Sequence, residues 1–245
     1  MSIGRKNVIS IAGLDPSGGA GLLADAKTFE MHQVNGFGVC SALTYQNEKE
    51  LDAVEWVAVD KIIRQLSVLL RVHKVDFVKI GIIENSETLS DVIDFLLSKN
   101  KNIKIIWDPI LKASTGFAFS DFANSFFSLV GKIHLITPNK MEFEHLFESK
   151  SVALETSFKM NIYLKGGHNT ENVGVDVLIR DGQEQSFKPN DGDFFAKHGS
   201  GCIFSAALCA NLALGHPLGK SCENAKRYIE NALASNQSLL SFHNQ

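Results

Sequence analysis

The chain has 245 residues, 44% of them hydrophobic and 21% charged, with a formal net charge of −3. This length and composition are enough to bury a large core, and an acidic balance without any Lys/Arg block excludes an extended nucleic-acid surface while leaving room for small anionic ligands. No apolar run approaches the roughly 18 residues of a membrane span, and Met1-Ser2-Ile3-Gly4-Arg5-Lys6 leads into no signal-peptide cleavage pattern, so a cytosolic protein away from membranes is expected.

Cys40, Cys202, Cys209 and Cys222 are scattered, with no Cys-x-x-Cys and no His-Cys cluster, so neither a disulfide framework nor a zinc site is indicated. In chain order, Val8-Ile9-Ser10-Ile11-Ala12 reads as a buried strand. It breaks at Gly13-Leu14-Asp15-Pro16-Ser17-Gly18-Gly19-Ala20-Gly21 before an amphipathic segment through Leu22, Ala26 and Phe29. Strand, Gly-rich loop and helix follow one another, and in an open α/β sheet such loops line the ligand crevice, which makes Asp15 and the glycines, Gly13 among them, site candidates. The loop is neither Gly-x-Gly-x-x-Gly nor a Walker A sequence, so a dinucleotide fingerprint is not supported.

A second apolar strand, Gly38 to Thr44, ends at Tyr45-Gln46-Asn47. The Gln46 amide donates and accepts at once, which suits an aminopyrimidine or a similar heteroaromatic edge; an exposed turn glutamine fits equally. Ile62, Leu66, Leu69 and Leu70 mark a helix, Val75 to Ile80 a strand, and Gly81-Ile82-Ile83 the loop after it. Leu89, Val92, Ile93, Leu96 and Leu97 repeat at helical spacing, and Ile103 to Trp107 is the next strand, closed by Asp108-Pro109. Asp108 either orients a metal-bound water or a basic residue, or caps local N–H groups as a turn carboxylate.

His134 to Thr137 ends at Pro138-Asn139-Lys140-Met141-Glu142. Asn139 and Glu142 share one face of the turn. They suit Mg²⁺ held through waters, and they suit an ordinary capping box at a helix start. Ile162-Tyr163-Leu164 leads to Lys165-Gly166-Gly167-His168, a lysine placed to meet phosphate. Extended segments on either side of Asp181-Gly182 predict a β-hairpin.

The hairpin delivers the chain to Lys197-His198-Gly199-Ser200-Gly201-Cys202, followed by Ile203, Ala206, Ala207, Ala210 and Leu214 at helical spacing. Two glycines at alternate positions let the backbone approach a ligand, and the helix N-terminus behind them suits a phosphate or oxyanion. A helix N-terminus lowers a thiol's pKa, so Cys202 is expected to have thiolate character and to act as base or nucleophile; a tight turn with a small buried cysteine fits the same residues. The last amphipathic segment, through Ala225, Ile229, Ala232 and Leu233, carries Lys226 and ends in a polar tail expected to fray. Repeats and low-complexity linkers are absent, and one doubly wound α/β domain over residues 1–245 is expected.

Ala12 to Gly21, Gln46-Asn47, Lys79-Ile80-Gly81, Asp108-Pro109-Ile110-Leu111 with Thr115-Gly116, Thr137-Pro138-Asn139 with Glu142, Lys165 to His168, and His198 to Cys202 occur in one order along nearly the whole chain. In these motifs the chain resembles the ribokinase-like kinases, and within them the bacterial hydroxymethylpyrimidine and phosphomethylpyrimidine kinases of thiamine biosynthesis. The resemblance implies a mostly parallel sheet flanked by helices on both faces, with a small β-hairpin before the anion-hole loop. It implies ATP and Mg²⁺, a small pyrimidine as partner, and commonly a homodimer. The activity implied is phosphorylation of 4-amino-5-hydroxymethyl-2-methylpyrimidine, then of its monophosphate.

By matching motif, Cys202 stands where most ribokinase-like kinases carry an aspartate base, and Gly199, Ser200 and Gly201 form the anion hole. Gln46 and Asp15, with Gly13 beside them, would bind the pyrimidine, with Ile82 against the ring where the family commonly has methionine. Asn139 and Glu142 would serve the Mg²⁺ and phosphate network with Asp108 at the metal, and Lys165 and Lys226 the nucleotide phosphates. The chain departs from the pattern at Phe195-Ala196-Lys197, where the family usually has an Asn-Thr pair, and between Phe143 and Tyr163, where no clear helix is read. Competing readings are a pyridoxal or pyridoxine kinase, a non-catalytic ligand sensor, and a thiol hydrolase built on Cys202 and His198.

Overall fold

The computed structural model describes residues 4–111, 122–167 and 173–244. Thr115-Gly116 and His168, parts of two of the motifs, lie outside the described residues. In chain order the elements are β1 (Asn7–Leu14), α1 (Gly21–Met31), β2 (Asn35–Gln46), β3 (Leu51–Trp56), α2 (Val59–Leu70), β4 (Phe77–Ile80), α3 (Ser86–Lys99) and β5 (Lys104–Trp107). They continue with α4 (Ala123–Leu129), β6 (Leu135–Ile136), α5 (Lys140–Leu146), α6 (Lys150–Thr156), β7 (Asn161–Leu164), β8 (Asp176–Arg180), β9 (Gln183–Phe187), α7 (Ser200–Ala213) and α8 (Leu218–Ala234).

The strands form one sheet in the order β3-β2-β1-β4-β5-β6-β7-β8-β9. From β2 to β7 every neighbouring pair is parallel, while β3, β8 and β9 pair antiparallel at the two edges. Parallel strands need both faces covered, and the apolar runs supply this by sending alternate side chains to opposite sides. Ile9 and Ile11 of β1, with Ile105 and Trp107 of β5, enter the core shared with Ile62, Leu66, Leu89, Val92, Phe126, Leu146 and Ala153. Val8 and Ile106 enter the opposite core, built on Ala24, Phe29, Ile203, Ala207 and Ala225.

The expected hairpin is β8–β9, with Asp181 (φ 50°) and Gly182 (φ 73°) at its turn, the left-handed pair that a two-residue hairpin of this kind requires.

Three local expectations are corrected and one strand is added. In α1 it is Ala24, Asp25, Thr28 and Phe29 that are buried, and Ala26 is exposed. The polar segment after Gln46 turns into β3, whose alternation is blurred by half-exposed positions along its whole length. The stretch from Phe143 to Tyr163 does contain a helix, α6, capped by Ser149 Oγ, which accepts from the Val152 amide. The polar tail does not fray. Lys197 Nζ donates to Asn236 O and, at 2.7 Å, to Ser238 O, and the His198 amide donates to Leu239 O at 2.9 Å. Lys197, at the departure from the family pattern, is thus the anchor of the tail.

β2 and β4 flank β1 on opposite sides, so the carboxyl ends of these strands open a crevice at a switch in strand order. The loops after β1, β4, β5, β6 and β7 all emerge at this edge of the sheet, because the strands are parallel.

Candidate active site

The loop after β1 is built around Asp15. Its carboxylate accepts from the Ser17 amide (2.9 Å), Ser17 Oγ (2.8 Å), the Ala20 amide (2.8 Å) and His198 Nε2 (2.9 Å). Burial pushes the Asp15 carboxyl upward, but the hydrogen bonds from His198, Ser17 and Ala20 outweigh it and hold the group below its usual range. Three of these donors converge on Oδ2 and one reaches Oδ1, so the protein engages mainly one carboxylate oxygen. Asp15 fastens the β1 loop to the α7 loop through His198. His198 Nε2 faces Asp15 Oδ2 at 2.9 Å, so that ring nitrogen is not available to Cys202 as the base of a thiol hydrolase.

Gly21, at φ +57°, opens α1, and a Cβ there would fall on the Gly13 carbonyl oxygen. Its amide lowers the pKa of the Cys202 thiol. Gly199 caps α7 at φ +73°, and a Cβ there would overlap Gly19 O and lie 2.6 Å from Ala20 Cα. Only glycine lets the two loops touch backbone to backbone. Ser200, Gly201 and Cys202 form the first turn of α7, where the amides have no carbonyl of their own helix to bond. Gly199→Ala is expected to destabilise the fold by roughly 1–3 kcal/mol through backbone strain and to reduce kcat by about 10²-fold or more through the misplaced amides. Thermal unfolding together with turnover of the variant measures both effects.

Cys202 is 7% exposed, and burial pushes its thiol up to about 11; Lys79 pulls it down, while Asp25 and Asp108 push it further up. The helix N-terminus does not produce a resting thiolate here, because desolvation outweighs the field of the first turn. Expected thiolate character is thus corrected to a neutral thiol at pH 7.

Behind Cys202 lies a pair that periodicity did not single out. Lys79 Nζ donates to both carboxylate oxygens of Asp25 at 2.7 Å, Ser10 Oγ donates to Asp25 as well, and both charged side chains are fully buried. Burial pushes Lys79 toward deprotonation, but Asp25, Cys202 and Asp108 outweigh it and its pKa is raised. The available signal was a lysine inside an apolar strand facing an aspartate on the core side of the first helix.

Asp108, fully buried at the end of β5, accepts from Lys165 Nζ (2.8 Å) and Thr137 Oγ1 (3.0 Å) on one oxygen, and from Ser205 Oγ (3.2 Å) on the other. Burial pushes its carboxyl up, yet Lys165 and Lys79 hold it below the usual range. Lys165 also lies 4.0 Å from Glu142 Oε2. Asn139 and Glu142 form the capping box of α5, with Glu142 Oε2 accepting from the Asn139 amide at 2.7 Å and Asn139 Oδ1 accepting from the Glu142 amide at 2.9 Å. The capping reading of that spacing is the one the fold realises. A Cβ on Gly201 would lie 3.2 Å from Lys165 Nζ and 3.6 Å from Asp108 Oδ2, so ammonium and carboxylate sit directly against the first turn of α7.

The expected metal pair, Asp108 and Glu142, is not a ligand set. The Lys165 ammonium already occupies the space between the carboxylates, their oxygens are engaged by protein donors, and no cluster of three metal-ligating side chains occurs among the described residues. These residues do not fit a directly bound Mg²⁺.

Lys226 is corrected as well. It donates to Gly174 O (2.6 Å) and Asp176 Oδ2 (3.0 Å), lies 3.2 Å from Glu230 Oε1 and is 7% exposed. Asp176 also accepts from Tyr163 Oη and the Gly166 amide. Lys226 thus pins α8 to the segment around β8, and no charge is left over for a phosphate.

On the other flank, Ile82 lies over Gly13, since a Cβ on that glycine would be 2.5 Å from Ile82 Cδ1. Gln46 Nε2 donates to Thr44 Oγ1 at 2.9 Å, whose hydroxyl donates to Leu14 O. Gln46 Oε1 has no partner among the described residues. The structure thus brings Gly13, Gln46 and Ile82 to the ends of β1, β2 and β4, and Asp108, Asn139, Glu142, Lys165 and Gly199 to Cys202 to the ends of β5 to β7 and the start of α7.

A buried thiol beside a lysine, with the first turn of a helix over both, is equipment for positioning and neutralising a transferring phosphoryl group. With the nine-stranded, mostly parallel sheet, it defines a kinase of ribokinase-like architecture. A family model described as phosphomethylpyrimidine kinase matches residues 15–245, and the chain belongs to that family. It is 32% identical over 246 residues to the hydroxymethylpyrimidine/phosphomethylpyrimidine kinase of Aquifex aeolicus, covering 94% of this chain and 95% of that one. A solved phosphomethylpyrimidine kinase from Clostridium difficile 630 superposes with a TM-score of 0.78 at 27% identity, covering 93% and 99% of the two chains. The ADP complex of Bacillus subtilis pyridoxal kinase superposes with a TM-score of 0.80 at 24% identity over 98% and 97%, a likeness of fold.

Proposed function

We propose that this protein transfers the γ-phosphoryl group of ATP to the hydroxymethyl group of 4-amino-5-hydroxymethyl-2-methylpyrimidine, and then a second one to the resulting monophosphate. The observation that carries the reading is the placement of Lys165 and Asp108 against Gly201, one residue before Cys202. A phosphoryl neutraliser and a proton acceptor are thereby held by one helical turn. Gln46, with a free carbonyl oxygen and an amide nitrogen, would read the amino-pyrimidine edge, and Ile82 would lie against the ring.

In the first transfer the hydroxyl proton passes to the Cys202 sulfur in its thiolate form, the minor form at neutral pH, as the oxygen attacks phosphorus, and ADP leaves in line. In the second the acceptor is a phosphate already ionised at neutral pH, and no base is required. The amides of the α7 first turn and the Lys165 ammonium carry the developing charge in both. Magnesium belongs to this reading as the partner of the nucleotide phosphates, since the protein carboxylates do not fit it.

The second reading is pyridoxal phosphorylation, favoured by the structural likeness to pyridoxal kinases, including that of Staphylococcus aureus in complex with ADP, with a TM-score of 0.82 at 21% identity. Incubation with Mg-ATP and the pyrimidine, its monophosphate or pyridoxal, with ADP release as readout, separates the two. Turnover with both pyrimidines is expected, and turnover with pyridoxal alone would reverse the assignment.

A further inference from the structure

A cavity of about 880 Å³ lies at the edge of the sheet opposite the kinase loops, where β1, β4, β5 and β7 begin. Its walls carry Arg5, Lys6, Lys74, Lys104, Lys159 and Arg180 against Asp76 and Asp181, a basic concentration on a chain whose net charge is −3. Arg5 is paired with Glu30 at 2.7 Å, Arg180 with Asp181 at 2.9 Å, and Lys74 lies 4.0 Å from Asp76. Lys6, Lys104 and Lys159 form no ion pair among the described residues. Three ammonium groups without an ion pair thus line the cavity from the segment before β1, the start of β5 and the segment before β7, that of Lys104 lying over the Phe77 ring at 5.7 Å.

No ion pair or hydrogen bond among the described residues uses these three side chains, and like charges around one concave surface repel. Two further features point inward. The His134 ring, half-buried in the wall, has no hydrogen-bond partner among the described residues, and burial together with Lys104 and Arg180 pushes it down to about 4. The 17-residue α8 begins at the rim with Pro217 as its cap, no side-chain cap and no acidic residue in its first turn, leaving the positive end of its dipole uncompensated by protein charge.

We propose that this cavity binds a small anion carrying two or more phosphate groups. A single phosphate neutralises at most two of the three free ammonium groups; a diphosphate or triphosphate matches all three, and the volume holds one with room for its organic moiety. The site is separate from the kinase crevice, at the other end of the same parallel strands.

Inorganic pyrophosphate is the probe, titrated at low ionic strength while the His134 imidazole resonance, assigned with His134→Gln, is followed by NMR. That signal reports this cavity and not the α7 loop. A saturable shift is expected with a midpoint below about 1 mM. It should weaken at least tenfold in Lys104→Glu/Lys159→Glu, whose melting temperature stays that of the parent and whose pyrimidine turnover stays within about twofold, because both lysines are exposed and far from the crevice. Lys159→Glu alone, with an intermediate loss, guards against misfolding of the double variant. No saturable shift, an equal shift in the charge-reversed variants, or the same shift with sodium chloride at matched ionic strength would overturn the site.

Discussion

Replacing Cys202 by alanine is expected to slow transfer to the hydroxymethyl group by about 10²–10⁴-fold, the usual contribution of a general base, and to leave transfer to the monophosphate nearly unchanged. The asymmetry follows from the acceptor: an alcohol must lose a proton as it attacks, whereas a phosphate dianion has none to lose above its second pKa of about 6. The buried thiol, held up to about 11, adds a pH signature. Below that value the thiolate fraction rises tenfold for each pH unit, so kcat/KM for the first transfer should climb with unit slope between pH 7 and 9. For the second transfer the profile should be flat, and in Cys202→Ala the slope of the first should vanish. Separate rates for the two acceptors, with ADP release as readout, supply the comparison. Equal losses in both transfers would sink the base assignment.

Lys79→Met is expected to destabilise the protein by about 3–5 kcal/mol, because it leaves the Asp25 carboxylate buried and without its counter-charge. Asp25 would then take up a proton, its pKa being pushed upward by burial already in the parent. The sign follows: protonation relieves the buried charge, so the deficit should shrink as pH falls from 7 toward 5. A second replacement, Asp25→Leu in the Lys79→Met background, removes the orphaned charge and should recover most of the loss. Denaturant titrations of the parent, single and double variants give the three free energies. A single variant as stable as the parent would show that the pair is not what holds α1 against the sheet.

The alternation of apolar strands with helical repeats was enough to place most of the elements, since parallel strands and amphipathic helices write their periods into the chain. Where a period was weak, the element was missed or misdrawn. β3 has half-exposed positions along its length, α6 is only seven residues long, and the inward face of α1 carries Asp25 and Thr28 in place of apolar residues. The glycine at 199 was legible as a point of close approach, and the structure gives the atoms that require it.

Roles of charged side chains were the least legible. Lys165, Lys226 and Lys79 are all lysines near strand ends or on core-facing positions, yet one faces the α7 turn, one pins a helix and one is sealed beneath the thiol. Asp15 and Asp108 each sit just beyond a strand, and both turn out to accept hydrogen bonds from protein donors, Asp15 from His198 far along the chain and Asp108 from Lys165 and Ser205. Their partners come from distant segments, so spacing within one segment carries no trace of them.

The sequence by itself determined the class of fold, the order of loops at one sheet edge, and the capping box and glycine turns, because these depend on local backbone geometry and short-range periodicity. Only the tertiary structure decided which carboxylates are free, which lysine faces the anion loop and that Cys202 rests as a neutral thiol. Ionisation and availability are set by burial and by charges brought together across the fold.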